Sequence, residues 1–336
     1  MPAPPVSNSV AAGLAMALAA AAVFAMLRLA GSLPQAHPNA RSMHERPVPR
    51  VGGLAIWAGF LAVLPLIPAP LPGGTAWLVA WAAVAVVSMI DDWQGMGVWT
   101  RLVAHAIAAT IAALAVLDPS QRALSIAYSW LLVVALACLL VWCANLYNFM
   151  DGSDGLATAM TVIGFGAYGF AAIAADLPAQ AYFALAAAAL PLLAVNVPPA
   201  RVFMGDVGAV PVGFLAGVFG SAGCAADVWP AWFPLLVFLP FVADATLTLL
   251  RRLGRGEPLS EPHRTHYYQR LNLLGAGHRG TLLVYGVLMT GTAGSALAAL
   301  AFAPAYGWGV LGAWMFAAGA FFAGIDYHWN RRRDSA

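Results

Sequence analysis

Asn145-Leu-Tyr-Asn148-Phe-Met-Asp151-Gly152-Ser153-Asp154-Gly155 is the stretch from which the fold of this chain is read. It holds two amides, two carboxylates and two glycines. An uncharged apolar run, Ala123 to Ala144, precedes it, and another apolar run begins at Leu156. A carboxylate at the centre of a bilayer costs about 2.5–3.5 kcal/mol even on a lenient insertion scale. Two of them do not serve packing. They belong where a membrane helix meets water, facing something that needs negative charge. A plain connector between helices is the alternative, but a plain connector needs none of the amides.

The rest of the chain makes the membrane setting general. Of 336 residues, 62% are hydrophobic and 9% charged, with a mean hydropathy of +0.79. Soluble domains carry about 25% charged residues. An all-α polytopic membrane protein is expected, as one membrane domain over residues 1–336. About eleven apolar runs have spanning character: Val10–Ala30, Val51–Ile67, Thr75–Ile90, Leu102–Leu117, Ala123–Ala144, Leu156–Ala175, Ala181–Val197, Gly208–Cys224, Val228–Leu250, Thr281–Phe302 and Trp308–Tyr327. Prolines mark many of their ends, and Pro234 and Pro240 inside the ninth run are expected to kink it. Cys138, Cys143 and Cys224 lie in apolar runs and read as small core residues rather than a disulfide or metal set. No basic residue precedes the first run, so a retained helix is expected there and not a cleaved signal peptide.

Charge placement gives an orientation. Connectors after odd-numbered runs hold eleven arginines, from Arg41 to Arg279, whereas connectors after even-numbered runs hold only Arg122. The positive-inside rule then puts the first set in the cytoplasm, with the N-terminus outside and the C-terminus cytoplasmic. Most carboxylates fall on that same face, so the question becomes what ligand wants both signs together.

Four further segments bear on it. Asp91-Asp92 closes the third run; adjacent carboxylates repel and suit a magnesium site or a general base. Phe203-Met-Gly205-Asp206-Val-Gly208 sets a carboxylate between glycines at the start of the eighth run, where free helix N-terminal amides would attract phosphate. The long connector from Arg251 to Arg270 carries His263, Arg264 and His266; arginine grips phosphate, and histidine donates to it or shuttles a proton. The early connector adds His44, Arg46 and Arg50, either as topology-setting charges or as a substrate contact. Zinc at His263 and His266 is set aside, since no Cys is near and no His-Glu-x-x-His occurs. Gly164-Phe-Gly166-Ala-Tyr-Gly169 matches the dinucleotide fingerprint letter for letter, yet it lies within an apolar run with no strand before it; it reads as a helix-packing face, as does Gly213-x-x-x-Gly217. The sum is a cytoplasmic-face site of carboxylates, arginines and histidines. Mg²⁺ with a diphosphate uses that mixture, and the bilayer setting pairs a lipid substrate with a water-soluble one.

These segments resemble the polyprenyl-phosphate N-acetylhexosamine-1-phosphate transferases over nearly the whole chain, from His44 to about Arg279. The motifs that carry the resemblance are Pro49-x-x-Gly52-Gly53, Asp91-Asp92, Asn145-x-x-Asn148-x-x-Asp151-Gly-x-Asp154-Gly-Leu, Phe203-Met-Gly-Asp206 and the histidine-bearing last loop. The resemblance implies transfer of a sugar 1-phosphate from a UDP-N-acetylhexosamine to undecaprenyl or another polyprenyl phosphate, with UMP released. That would be the first membrane step of O-antigen or other envelope polysaccharide synthesis, at the bacterial inner membrane. It implies Mg²⁺, with Mn²⁺ as a substitute, held chiefly by Asp206. Asp91 and Asp92 correspond to the acidic pair that deprotonates the lipid phosphate or helps place the metal. Asn148 and Asp151 line the catalytic centre, His263 and His266 stand near the diphosphate, and Asp154, Asn196 and Phe203 form the uridine pocket. A homodimer is compatible with the reading, and no nucleic-acid partner is expected. The spelling His263-Arg-Thr-His266-Tyr-Tyr-Gln is most similar to the O-antigen-initiating branch. Gly95 and Ala209 stand where the peptidoglycan branch usually has Lys and where Ser is common.

The reaction exchanges one phosphoanhydride for another, so positioning and charge neutralisation dominate. Direct attack by the lipid phosphate is the expected route, and a two-step route through a carboxylate nucleophile is the runner-up. The reading from a different class is an ion-coupled transporter, whose acids should lie at membrane depth on broken helices. Here nearly all lie at helix ends, with Asp244 the deepest.

Overall fold

A computed structural model describes residues 6–36, 47–68, 76–117, 126–258 and 263–334. Every apolar run becomes helical, as it must where no water satisfies backbone groups. The elements are α1 (Asn8–Arg28), α2 (Gly53–Val63), α3 (Ala76–Gln94), α4 (Val98–Val116), α5 (Ile126–Met150), α6 (Leu156–Ala174), α7 (Gln180–Asn196) and α8 (Asp206–Ala225). They continue as α9 (Trp232–Val237), α10 (Leu239–Gly254), α11 (Tyr267–Leu271), α12 (Gly277–Phe302) and α13 (Gly307–Asp334). Two short strands, β1 (Gln35–Ala36) and β2 (Val48–Pro49), pair antiparallel with Gln35 opposite Pro49.

Among the described residues, eight segments are long and apolar enough to cross a membrane, and α2 and α7 are shorter apolar helices. The protein is therefore an all-α polytopic membrane protein. The ninth run does more than kink: it breaks into α9 and α10 at Phe238. Pro240 has no N–H to give to Leu236, so the ladder cannot continue through it, and Phe238 closes one helix and opens the next.

Helix α8 is the axis of the bundle. Of its membrane window 89% is buried, against 17% for α13. Its glycines and alanines let neighbours approach closely. Gly213 and Gly217 face Cys143 on α5, and Gly164 and Gly169 abut Phe238 and Phe183, so both glycine motifs are packing faces. The three cysteines are free, but Cys138 lies on the exposed outer face and not in the core. Nothing in the spacing of the fifth run separates its lipid-facing side from its inner one, because both are apolar.

Asp244, fully buried on α10, is the organiser of the last connector. Its carboxylate accepts from the backbone N–H of Tyr267 and of Tyr268, each at 2.9 Å, and from the Tyr285 hydroxyl at 2.5 Å. The deepest acid thus anchors α11 and α12, which is a structural use and not an ion path. Nearby, Asp326 of α13 accepts from Arg251 and, at 2.7 Å, from Arg270. Replacing Asp244 by Ala is expected to lower stability by about 3–5 kcal/mol, because four buried donors, Thr248 Oγ1 among them, lose their acceptor. Thermal unfolding in detergent measures it; a midpoint within about 2 °C of wild type would contradict the anchoring role.

Candidate active site

The site is built where three connectors meet at one end of the bundle. The 203–206 turn is threaded between β2 and α2: the Phe203 N–H donates to Pro49 O (2.8 Å), Gly52 N–H to Phe203 O (2.9 Å) and Gly53 N–H to Met204 O (2.8 Å). Gly205 turns there with φ +73°, and a Cβ on it would lie 2.0 Å from Arg50 O. Only glycine suits that position. The turn delivers Asp206 as the first residue of α8.

Asp92, 3% exposed, reaches across from α3 and accepts from the Val207 N–H at 2.8 Å, while Arg50 Nε approaches its other oxygen at 3.7 Å. The first amides of α8 are therefore not free for phosphate: Val207 and Asp206 give theirs to Asp92, and Gly208 and Ala209 give theirs to Gly205 O. That expectation is corrected. It failed because the capping group comes from another helix more than a hundred residues away, a contact local spacing does not reveal. Asp92 acts as the brace that fixes α8 and Asp206.

Asp206 also draws on two other helices. Arg101 of α4 lies 3.4 Å from its Oδ2, and Asn148 of α5 donates to the same oxygen at 3.4 Å. Asp91 and Asp92 part company despite being adjacent. Asp91 accepts from the Met96 N–H at 2.6 Å and pairs with Arg101, which thus bridges Asp91 and Asp206.

The opposite wall is Asp154. It accepts from the Ala200 N–H at 2.9 Å and lies 3.3 Å from His278 Nδ1, which also meets Ser153 Oγ at 3.2 Å. Asn196 ties this wall together: its oxygen accepts from Gly155 N–H (3.1 Å) and Thr158 (2.8 Å), and its amide donates to Val202 O (2.8 Å). Between the walls is a cavity of about 250 Å³ lined by Arg50, Asp92, Asn148, Asp151, Asp154, Asn196, Phe203, Asp206, Gln269 and His278. Seven of the expected site residues converge on it. Asp151 lies among them, and burial, followed by the Asp206 and Asp92 carboxylates, pushes its carboxyl well above the usual range. The Gly205 N–H works against that shift.

Other expected residues stand elsewhere. His44 and Arg46 lie outside the described residues. His266 is buried between the Phe149 and Tyr268 rings, 3.4 Å from Asp244, and does not line the cavity. His263 stacks on His266, and burial with the His266 and Arg252 charges pushes it down to about 4, so it is a neutral ring near pH 7. Arg264 is half-buried on the same connector and does not line the cavity. Two cavity residues, Gln269 at the end of the histidine stretch and His278 beyond it, carry no signal in the sequence. Arg101, which pairs with Asp206 from outside the cavity, reads in the sequence only as a topology-setting charge; a basic residue near a membrane surface gives the same signal in either role.

A divalent cation fits this donor set. The Asp92, Asp151 and Asp206 carboxylates line one space, with Arg50 as the cationic side chain among them. Among the described residues no three ligating groups form a closed cage.

Comparison with known proteins bears on the same residues. The family model for glycosyl transferase family 4 matches residues 75–223, from before α3 to the end of α8. The decaprenyl-phosphate N-acetylglucosaminephosphotransferase of Mycobacterium leprae (strain TN) is 30% identical over 311 residues, covering 77% of this chain and 76% of that protein. Its counterpart of the same name from Mycobacterium tuberculosis (strain ATCC 25618 / H37Rv) is 29% identical over 308 residues, 77% and 75%. The undecaprenyl-phosphate alpha-N-acetylglucosaminyl 1-phosphate transferase of Escherichia coli (strain K12) is 26% identical over 259 residues, 71% and 69%.

Proposed function

Because the chain belongs to the polyprenyl-phosphate N-acetylhexosamine-1-phosphate transferases, we propose that it moves a sugar 1-phosphate from a UDP-N-acetylhexosamine to a polyprenyl phosphate. The products are a polyprenyl diphosphate sugar and UMP. The observation that carries this reading is the convergence of Asp92, Asp151, Asp154 and Asp206 with Arg50 on one cavity. That mixture of signs suits a nucleoside diphosphate with a divalent cation, and neither suits an apolar ligand.

Mg²⁺ or Mn²⁺ held by Asp206 and Asp151 would neutralise phosphate oxygens as charge moves through the transition state. The chain's own groups do the positioning. Arg101 and Asn148 fix the Asp206 carboxylate from two sides, and Asp92 fixes the helix that presents it. The Asp154 wall faces the nucleotide side, with His278 and Asn196 holding it in place. An oxygen of the lipid phosphate attacks the β-phosphorus of the UDP-sugar, the bond to the UMP oxygen breaks, and UMP leaves. A phosphate second pKa is about 6, so the acceptor is ionised near neutrality without a strong base. Asp91, engaged by Arg101 and the Met96 N–H, is therefore a positioning group. The chain of the lipid fits the apolar crevice of about 820 Å³ between α5, α8 and α9. We put the cavity end at the cytoplasmic face of a bacterial inner membrane, since Arg50 lines the cavity and Arg101 borders Asp206, both from arginine-bearing connectors.

The test uses detergent-solubilised protein with undecaprenyl phosphate, Mg²⁺ and labelled UDP-N-acetylglucosamine, the sugar named for the relatives above. Chloroform-soluble label and UMP should appear in equal amounts, stop on addition of EDTA, and resume when Mg²⁺ is restored. Absence of lipid-linked product from UDP-N-acetylglucosamine, UDP-N-acetylgalactosamine and UDP-linked deoxy-N-acetylhexosamines alike would overturn the reading.

A further inference from the structure

Beyond the Asp206–Asn148 side of the main cavity lies a second chamber of about 130 Å³. Besides Asp206 and Asn148, its polar side is Ser88, Asp91, Arg101, His105 and Asn145; its apolar side includes Val98 and Leu102, both exposed on the outside of the bundle. His105 follows Arg101 by one helical turn on α4, so the two share a face. His105 is 4% exposed and Ser88 is 2% exposed, yet His105 Nε2 and Ser88 Oγ have no hydrogen-bond partner among the described residues. Buried polar groups are seldom left unpaired, and doing so is costly. Two such groups flank one space beside a guanidinium. The Asp91 and Asp206 carboxylates also face it, but Arg101 bridges the two, with the Met96 N–H on Asp91 and the Asn148 amide on Asp206. A phosphate would supply the missing acceptors.

The surroundings say which phosphate. Phe149 lines this chamber, and its ring meets Trp142 edge-on at 6.4 Å. Trp142 in turn lines the large apolar crevice between α5, α8 and α9. One aromatic pair therefore separates a polar chamber from an apolar channel, an arrangement suited to a ligand with a charged head and a long hydrocarbon chain. The Asp154 wall, by contrast, lies on the other side of Asp206.

We propose that this chamber holds the phosphate of the polyprenyl acceptor, with His105 Nε2 and Ser88 Oγ donating to it and the Arg101 guanidinium beside it. The inference rests on the transferase reading above. It places acceptor and donor on opposite sides of Asp206. The acceptor oxygen then meets the β-phosphorus directly, the phosphorus–oxygen bond to UMP opens as the new one forms, and no carboxylate has to carry the phosphoryl group in between.

His105→Ala should raise KM for undecaprenyl phosphate about tenfold or more, the loss expected for a hydrogen bond to a charged group. KM for the UDP-sugar should stay within about twofold of wild type, inside the scatter of a site left untouched. His105→Gln, which can still present a donor from the same helix position, should recover most of the loss. Native mass spectrometry of the protein with undecaprenyl phosphate alone should show the same order of affinity: wild type, then Gln, then Ala. Retained UMP binding by His105→Ala would show that the variant is folded. An unchanged acceptor KM, or a rise confined to the UDP-sugar KM, in an active wild-type background would overturn this inference and leave the transferase reading standing. An inactive wild type with every donor would instead overturn that reading.

Discussion

Asp206→Asn should leave a folded protein with its turnover reduced about 10³-fold or more, the loss seen when a preorganised electrostatic group is removed from a transition state. The substitution keeps the shape of the side chain and an oxygen for Asn148 to donate to, so the turn from Phe203 to Asp206 should hold. What disappears is the charge. Asp206 sits where Arg101, Asn148 and the start of α8 meet, and on the function proposed above it is the carboxylate that would hold the cation. Thermal stability should be unchanged or slightly higher, because one of several mutually repelling carboxylates is gone. The measurement is kcat with labelled UDP-N-acetylglucosamine alongside a melting curve. Activity above about a tenth of wild type, against the loss expected of such a group, would remove Asp206 from its assigned role.

Gly205→Ala should be severely damaging for a change of one methyl group. The new Cβ would lie 2.0 Å from Arg50 O and 3.1 Å from an Asp92 oxygen, and the residue would be held at φ +73°. Neither obstacle yields easily, since one is backbone and the other is the brace of α8. A loss of about 3 kcal/mol or more in stability is expected, together with most of the activity. Gly95 provides the control: its φ is +69°, but nothing lies within 4 Å of a Cβ there. Gly95→Ala should cost only about 1 kcal/mol, from backbone strain alone. Equal effects of the two substitutions in paired melting curves would mean that the close approach to Arg50 is unimportant.

Much of the site was legible in the sequence because charge is rare in this chain. Asp91, Asp92, Asp151, Asp154 and Asp206 stand out against apolar runs, and their cost in a membrane makes a function the economical explanation. Helix existence was legible for the same reason. Direction was not. Asp91 and Asp92 are neighbours that face two different spaces, and His266 turns away from the cavity toward Asp244, whereas His278 turns into it. Those outcomes depend on contacts across dozens of residues, which periodicity does not encode. His105 and Arg101 were hidden by context. An arginine at a membrane surface already has an explanation, and a lone histidine in an apolar helix gives no signal until its neighbours are known.

The segment matched by the family model stops at residue 223, whereas Arg50, Gln269 and His278 complete the cavity from outside it. Gln269 and His278 are positioned in turn by Asp244 and by the Asp326 clamp on α13. Transplanting residues 75–223 into a relative would therefore carry over most of the acids but leave part of the cavity wall and its moorings to the host. Exchanges meant to alter donor choice would need to move the tail half of the protein together with the middle.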